Sequence, residues 1–241
     1  MRKKTWLVVV MCLGWAMTAQ AGDAVPPKTH PDSSSWQDLF APDLSDAIFP
    51  KGIWFIEDGL LTASEDQCIW TKKKYEDCII DLEFKNGPAA NSGVFVHCSD
   101  IKELVPNSIE VQILDDYHAK WASAPKTWLC GGIFGRLAPA QQTVKKAGEW
   151  NRMTVTCQGP MIYVLLNGEP ITKFDMRKWT DAKTNPDGSA IPPWLSKPAA
   201  ELPLKGHIGL QGKHGGAPIY FRNYKIKPLV YKYSFQTNPS R

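Results

Sequence analysis

Residues 108–116 read Ser-Ile-Glu-Val-Gln-Ile-Leu-Asp-Asp, and this stretch predicts a β-strand with one apolar and one polar face. Because successive side chains of a strand point to opposite faces, the isoleucines and the valine share one face, whereas Glu110 and Gln112 share the other. The apolar face fits a packed core. We expect the polar face to line a groove, and the alternative is a face that simply meets water.

Short β-like runs of this kind recur from Trp36 to Leu229, about a dozen in all, without a long period of 3.6 residues. Asp58-Gly59 and Asn167-Gly168 each separate two such runs and supply the positive-φ pair of a tight hairpin. The pattern predicts an all-β sandwich or barrel. Residues 179–204, which are rich in proline, interrupt the strands, and a long ordered loop of this kind is commonly a lid or a binding element.

The N-terminus predicts export. A basic head at residues 2–4, an apolar run at 6–17 and Ala19-Gln20-Ala21 form a signal peptide over residues 1–21. The apolar run is shorter than the roughly 20 residues that span a bilayer. We therefore expect a periplasmic or extracellular protein without a membrane anchor after cleavage.

The remaining chain divides into a flexible linker at 22–35, which offers little to a core, a single domain at 36–230 and a C-terminal tail at 231–241. The sequence does not indicate an oligomeric state.

Composition excludes several classes of function. With 43% hydrophobic and 22% charged residues the chain is an ordinary globular protein, and its net charge of +4, partly contributed by the leader, does not suggest a nucleic-acid partner. The cysteines beyond the leader form no Cys-x-x-Cys pair, so we predict neither a zinc site nor a cofactor, and we leave a divalent metal open. Cys68 and Cys78, which flank a predicted hairpin, are the first candidates for a disulfide.

Several polar residues are candidates for a site. Glu110 and Gln112 lie on the polar strand face, and Asp115 follows them. In the strand Gly206–Gln211, His207 and Gln211 point outward, and Lys213 and His214 follow beside three glycines, which suit either a close ligand or a tight turn.

Four further residues are candidates from other segments. His97 shares the predicted groove face of its strand, although a lone histidine is commonly structural. His118 and Trp121 lie on a predicted rim, and Arg136 is a further candidate for binding.

A series of motifs in this order resembles the 3-keto-disaccharide hydrolase family of exported bacterial domains. The motifs are Trp70–Lys73 with Tyr75, Asn91–Val96, Glu110–Asp115, Gly132–Gly135 with Pro139, Gly148–Asn151, Leu166–Gly168, Gly206–Gln211 with His214-Gly215, and Phe221–Asn223. The resemblance covers nearly all of residues 36–229 and implies a concanavalin-A-like jelly-roll sandwich of about a dozen antiparallel strands. It also implies a carbohydrate partner, an oxidised disaccharide or glycoside.

The reaction that the resemblance implies starts from a sugar with a ketone at C3. A base removes the C2 proton, the C1 substituent leaves by elimination, and water adds back, so the site needs a base, a donor for the enolate oxygen and an acid near C1. We expect Glu110 to be the base, with Asp115 as the second choice. We expect His214 or Lys213 to be the donor to the enolate oxygen. The sugar would be bound by Gln112, Gln211, His207, Trp121, His97, His118 and Arg136.

Two other functions remain open. The domain could bind polysaccharide without cleaving it. Its groove would then need aromatic platforms and amides, but no titratable group against the sugar. It could also hydrolyse unmodified glucans with acids at strand positions i, i+2 and i+5. Gln112 stands at the middle of these positions, which argues against that mechanism.

Overall fold

The computed structural model describes residues 28–229 and contains two antiparallel sheets that pack face to face. This confirms the all-β sandwich. Its thirteen strands are β1 (Gln37–Asp38), β2 (Ala47–Ile48), β3 (Trp54–Glu57), β4 (Leu60–Ala63), β5 (Ile69–Thr71), β6 (Cys78–Asn86), β7 (Asn91–Cys98), β8 (Ile109–Leu114), β9 (Asn151–Gln158), β10 (Met161–Leu166), β11 (Glu169–Asp175), β12 (His207–Leu210) and β13 (Ile219–Pro228).

Both sheets combine strands that are consecutive in the chain with strands from distant parts of it. The eight-stranded sheet has the order β11-β10-β9-β6-β13-β4-β3, with β1 beside β13. The five-stranded sheet has the order β2-β5-β12-β7-β8. Five short 3₁₀ helices lie in the connections: Val105–Asn107, Ala119–Trp121, Lys126–Trp128, Met176–Lys178 and Ala199–Glu201. Within the described residues, no helix has the length and apolar character needed to cross a membrane.

The core lies between the two sheets and is filled by alternate residues of their strands. Ile80 and Phe84 of β6 are fully buried on the inner face of the large sheet, and Ile109, Val111 and Ile113 of β8 are fully buried opposite them. β8 therefore has the orientation that its sequence predicts. Because its apolar residues face inward, Glu110 and Gln112 must lie on the outer face of the small sheet.

Both predicted hairpins are present. Asp58-Gly59 joins β3 to β4 with φ values of 51° and 75°, and Asn167-Gly168 joins β10 to β11 with φ values of 53° and 92°. These left-handed pairs match the twist of the strands they connect.

The predicted linker does not extend to residue 35. His30 donates from Nδ1 to Thr154 Oγ1 at 2.7 Å and accepts the Gly168 amide at Nε2 at 2.8 Å. Ser33 donates to the buried carboxylate of Asp81. Residues 28–35 therefore pack on the outside of the large sheet, and composition concealed this because the contacts are polar rather than apolar. The predicted leader, the first part of the linker and the tail from residue 231 lie outside the described residues.

The candidate disulfide between Cys68 and Cys78 is not formed. All five cysteines of residues 28–229 are free, and Cys78 of β6 is the register partner of Cys157 on β9 in the large sheet. Cys68 precedes β5 in the small sheet. The two residues belong to different sheets because the chain crosses the sandwich between them.

Candidate active site

A cavity of about 250 Å³ lies on the outer face of the small sheet. Its floor is formed by β7, β8 and the end of β12, and its walls by the connections around residues 104, 128, 134 and 194. It is lined by Asn91, Phe95, Leu104, Val105, Glu110, Gln112, Trp128, Phe134, Trp194, Gln211 and His214. Of the predicted site residues, the cavity brings together Glu110, Gln112, Gln211 and His214.

Strand register places Glu110 at the centre of the floor. Glu110 is paired with Phe95, and Gln112 with Gly93, across β7 and β8. A Cβ atom at Gly93 would stand 2.8 Å from Cγ of Glu110 and even closer to its carboxylate. Gly93 therefore leaves the space that the Glu110 carboxylate occupies, as expected of a strand glycine at a point of close approach.

The Glu110 carboxyl group is held in a poorly hydrated position. Burial, with a smaller contribution from the negative charge of Asp66, raises its pKa to about 8. The side chain keeps some accessible surface in the cavity. It is therefore a carboxyl group that exchanges its proton near neutral pH, which suits a general base.

Gln112 is the fully buried amide beside this carboxyl group. With its nitrogen turned toward Glu110, it donates to Glu110 Oε1 at 3.3 Å and to the Ser92 carbonyl at 3.3 Å. In the opposite orientation the nitrogen donates to Asn91 Oδ1 at 3.0 Å. Gln112 therefore holds the cavity floor in place next to Glu110 by hydrogen bonds, and it does not serve as a second acid.

His214 lies at the solvent side of the cavity and is held by Asp66. Its Nδ1 donates to Asp66 Oδ2 at 2.7 Å, and both side chains are about half exposed. The loops that carry His214 and Asp66 are joined by two backbone hydrogen bonds, each 3.1 Å long. They run from the Gly212 amide to the Gln67 carbonyl and from the Lys213 amide to the Glu65 carbonyl. Sequence reasoning missed Asp66, which is 148 positions from His214 and belongs to no motif.

Aromatic residues form much of the cavity wall. Trp128 packs against Phe134 with ring centroids 5.0 Å apart, and Phe95 packs against Trp70 at 5.5 Å. Trp194, which is 51% exposed, comes from the long proline-rich loop. That loop therefore contributes a wall, although its sequence could not show which residue faces the cavity.

Two of the predicted catalytic residues do not line the cavity. Asp115 is buried, and its oxygens accept the backbone amides of Ala89 at 2.9 Å and Tyr117 at 3.4 Å, so it fixes a turn. Lys213 is half-buried beside the 64–67 loop and does not reach the cavity. The alternative base and the alternative donor are thus placed away from Glu110.

Two predicted histidines also lie elsewhere. His97 has φ of 56°, and the register of β7 with β12 shifts at this point, so its side chain turns away from the cavity. Burial lowers its pKa to about 4. His207 donates from Nδ1 to the Thr71 carbonyl at 2.7 Å and ties β12 to β5.

The predicted rim residues have structural contacts. His118 caps the 3₁₀ helix Ala119–Trp121 by accepting the Lys120 amide, and the Trp121 indole donates to the Ala89 carbonyl at 3.2 Å. Arg136 is buried below the cavity, donates to the Lys197 carbonyl at 2.7 Å, and borders a void of about 10 Å³ that also touches Glu110. It can support the floor but does not face the cavity.

A larger cavity, of about 560 Å³, lies outside the large sheet between residues 30–34 and β6. Its buried carboxylate, Asp81, already accepts bonds from Ser33, Arg152 and Thr154. These bonds attach the N-terminal segment to the sheet, so the polar groups of this cavity serve the fold. Among residues 28–229 there is no group of three or more His, Cys, Asp or Glu side chains that could hold a metal ion.

The fold and the cavity define a class of protein, a jelly-roll sandwich whose small sheet carries an enclosed carboxyl group. A protein of Parabacteroides distasonis, provisionally described as a glycosyl hydrolase, is 50% identical, with a TM-score of 0.78 over 80% of this chain and 99% of its own. A second such protein from the same organism is 25% identical, with a TM-score of 0.65 over 78% and 90%. The exoplasmic/lumenal domain of VIP36 is 9% identical, with a TM-score of 0.51 over 82% of this chain and 92% of its own, and shares the fold alone.

The profile of one family, the 3-keto-alpha-glucoside-1,2-lyase-like domain, matches residues 18–227. The chain belongs to this family and is a glycosyl hydrolase-like domain, which confirms the resemblance found in its motifs. No protein among the curated ones matches the chain.

Proposed function

We propose that the protein cleaves glycosides whose sugar carries a ketone at C3, by removal of the C2 proton and elimination of the C1 substituent. The observation that supports this most directly is the Glu110 carboxyl group, enclosed by the cavity and with a pKa of about 8. A ketone acidifies the neighbouring C–H bond, so a base of this strength at C2 is the first requirement of the reaction.

In the proposed reaction Glu110 takes the C2 proton, and the electron pair of that bond forms the enolate of C2 and C3. The enolate then reforms the ketone as the C1–O bond breaks, and the electrons of that bond leave with the aglycone oxygen. Water adds to C1 of the resulting enone, and C2 recovers a proton. The sum is hydrolysis of the glycosidic bond, and the balance requires no external oxidant or cofactor.

His214 is the proposed acid for the departing oxygen. It lies at the exposed side of the cavity, where an aglycone would extend into water, and Asp66 fixes its Nδ1. The other ring nitrogen is then available to the leaving group. The protein would act outside the cytoplasm, as the sequence of its leader suggests.

Classical glycoside hydrolysis fits the cavity less well. That mechanism requires two carboxyl groups that flank the bond to be cleaved. Within the described chain, Glu110 is the only acid that lines the cavity, and Asp66 is engaged behind His214.

The test is release of chromophore from 4-nitrophenyl 3-keto-glucosides, as both anomers, beside the same glucosides unoxidised. We expect release from a keto substrate alone, and loss of at least a hundredfold in kcat/KM for Glu110→Gln. Glu76→Gln, which changes an exposed carboxylate outside the cavity, is the matched control.

A second candidate is a non-catalytic carbohydrate-binding module, which the aromatic walls at Trp128 and Trp194 favour because such rings stack on sugar faces. Binding of both glucosides without release from either would support this candidate. Release from the unoxidised glucoside would overturn the proposed elimination.

A further inference from the structure

Among the residues that line the cavity, two carry polar atoms that are buried and have no hydrogen-bond partner within the described chain. These atoms are the indole Nε1 of Trp128 and the Oε1 of Gln211. Buried polar groups in folded proteins nearly always have partners, so such atoms at a cavity point to groups that a ligand completes. One of these atoms can only donate a hydrogen bond, and the other can only accept.

The backbone places these two residues on opposite sides of Glu110. On one side, the Gln211 amide donates to the Gly93 carbonyl at 2.9 Å, and Gly93 lies against Glu110 on the neighbouring strand. On the other side, the Phe134 amide donates to the Glu110 carbonyl at 3.0 Å, and the Phe134 ring packs against Trp128. Across the floor the order is therefore Gln211, Glu110, Trp128.

His214 belongs to the Gln211 side of this row. It follows β12 by four residues, and its backbone bridges to Asn91 at the start of β7. The proposed acid, the proposed base and the Trp128 donor thus stand in the same order as C1, C2 and C3 of a sugar ring. With C2 over Glu110 and C1 toward His214, C3 is directed toward Trp128.

We propose that Trp128 recognises the oxidised carbon: its indole N–H donates to the C3 oxygen, first as a ketone and then as the enolate. This inference rests on the proposed function and deepens it. Because an indole N–H cannot accept a hydrogen bond, it suits a carbonyl oxygen, whereas a C3 hydroxyl would leave its own proton without a partner there. As negative charge develops on that oxygen the bond strengthens, which makes Trp128 a catalytic residue as well as a selective one.

The variant Trp128→Phe deletes the N–H and keeps an aromatic ring against Phe134. In protein that also carries Glu110→Gln, so that no turnover occurs, calorimetry would compare the affinities for methyl 3-keto-glucoside and methyl glucoside. We expect Trp128→Phe to lower the affinity for the keto ligand about tenfold and to leave the other unchanged. With Glu110 present, kcat/KM for the keto substrate should fall roughly 100-fold.

Trp121→Phe is the matched control, because it deletes an indole N–H that bonds the Ala89 carbonyl away from the cavity. It should leave the ratio of the two affinities unchanged. Equal losses for both ligands in Trp128→Phe, or no loss for the keto ligand, would overturn the assignment even if wild-type protein cleaves keto substrates. A wild-type protein without turnover whose preference for the ketone still depends on Trp128 would instead contradict only the proposed reaction.

If Trp128→Phe does not fold, the Glu110→Gln protein is titrated with the 3-keto, 3-hydroxy and 3-deoxy methyl glucosides. Tightest binding of the keto ligand supports the proposal. Equal affinity for the keto and hydroxy ligands overturns it.

Discussion

Gly93 lies directly against the carboxylate of Glu110 on the adjacent strand, so that even a methyl group at position 93 would displace the acid. The atom that would be pushed aside belongs to a side chain that can rotate, not to backbone. The glycine therefore determines where the carboxyl group sits, while the sheet itself would tolerate its loss.

We expect Gly93→Ala to lower kcat/KM at least tenfold while the melting temperature changes little, since a small displacement of a catalytic group is costly. Activity assays and thermal unfolding would measure the two effects. The double variant Gly93→Ala/Glu110→Asp shortens the displaced side chain, so the two losses should combine to less than their product. Multiplicative losses would show that position 93 acts independently of Glu110.

The pH dependence of activity follows from the raised pKa of Glu110. The carboxylate is the active base, so kcat/KM should rise with pH up to about 8. A profile that is flat from pH 6 to 9 would indicate a different base.

The same group makes folding stability depend on pH in the opposite direction. The folded protein binds the Glu110 proton more tightly than the unfolded chain does. In the unfolded chain the pKa of this carboxyl group is the ordinary 4.5. The stabilisation is complete below pH 4.5 and is lost as pH rises toward about 8. Urea unfolding at pH 5 and 8.5 should show this decline in wild-type protein and a smaller one in Glu110→Gln.

Asp66→Asn should change two properties that can be separated. Removal of the negative charge beside Glu110 lowers the pKa of that carboxyl group, so the rise of kcat/KM should move to lower pH. Loss of the carboxylate that accepts the His214 Nδ1–H should lower kcat roughly tenfold or more at the pH of maximal activity. Glu65→Gln, at the neighbouring exposed position, should change neither quantity.

Attachment of residues 28–35 can be tested at Asp81. This buried carboxylate accepts from Arg152 Nη2 at 2.7 Å and from Thr154 at 2.6 Å, besides Ser33. Asp81→Ala leaves those donors without a partner, and we expect a loss of about 2–3 kcal/mol in unfolding free energy. Limited proteolysis should then cut before residue 36 in the variant sooner than in the wild type, whereas equal rates would contradict the attachment.

The sequence predicted those features that depend on strand alternation alone. Glu110, Gln112 and Gln211 lie in the cavity because the apolar residues between them fix the phase of β8 and β12. His97 shows the limit of this reasoning, since a left-handed residue shifts the register of β7 there and alternation ceases to apply.

Contacts between irregular segments that are distant in the chain could not be predicted, because such contacts produce no periodic pattern in the sequence. Asp66 meets His214 only because two loops are joined by backbone bonds, and Trp128 and Trp194 enter the cavity from segments without a regular period. The contacts of His30 with Thr154 and Gly168 are equally non-local, which is why a packed segment resembled a linker.

The residues that line the cavity belong to two kinds of backbone, the strands of the small sheet and the connections between strands. Glu110 and Gln112 belong to a paired strand, β8. In contrast, Trp128, Trp194 and Val105 belong to the connections between strands. Insertions and replacements accumulate in such connections far more readily than in strands. We therefore expect the cavity walls to differ among relatives of this protein more than the strand position of Glu110 does.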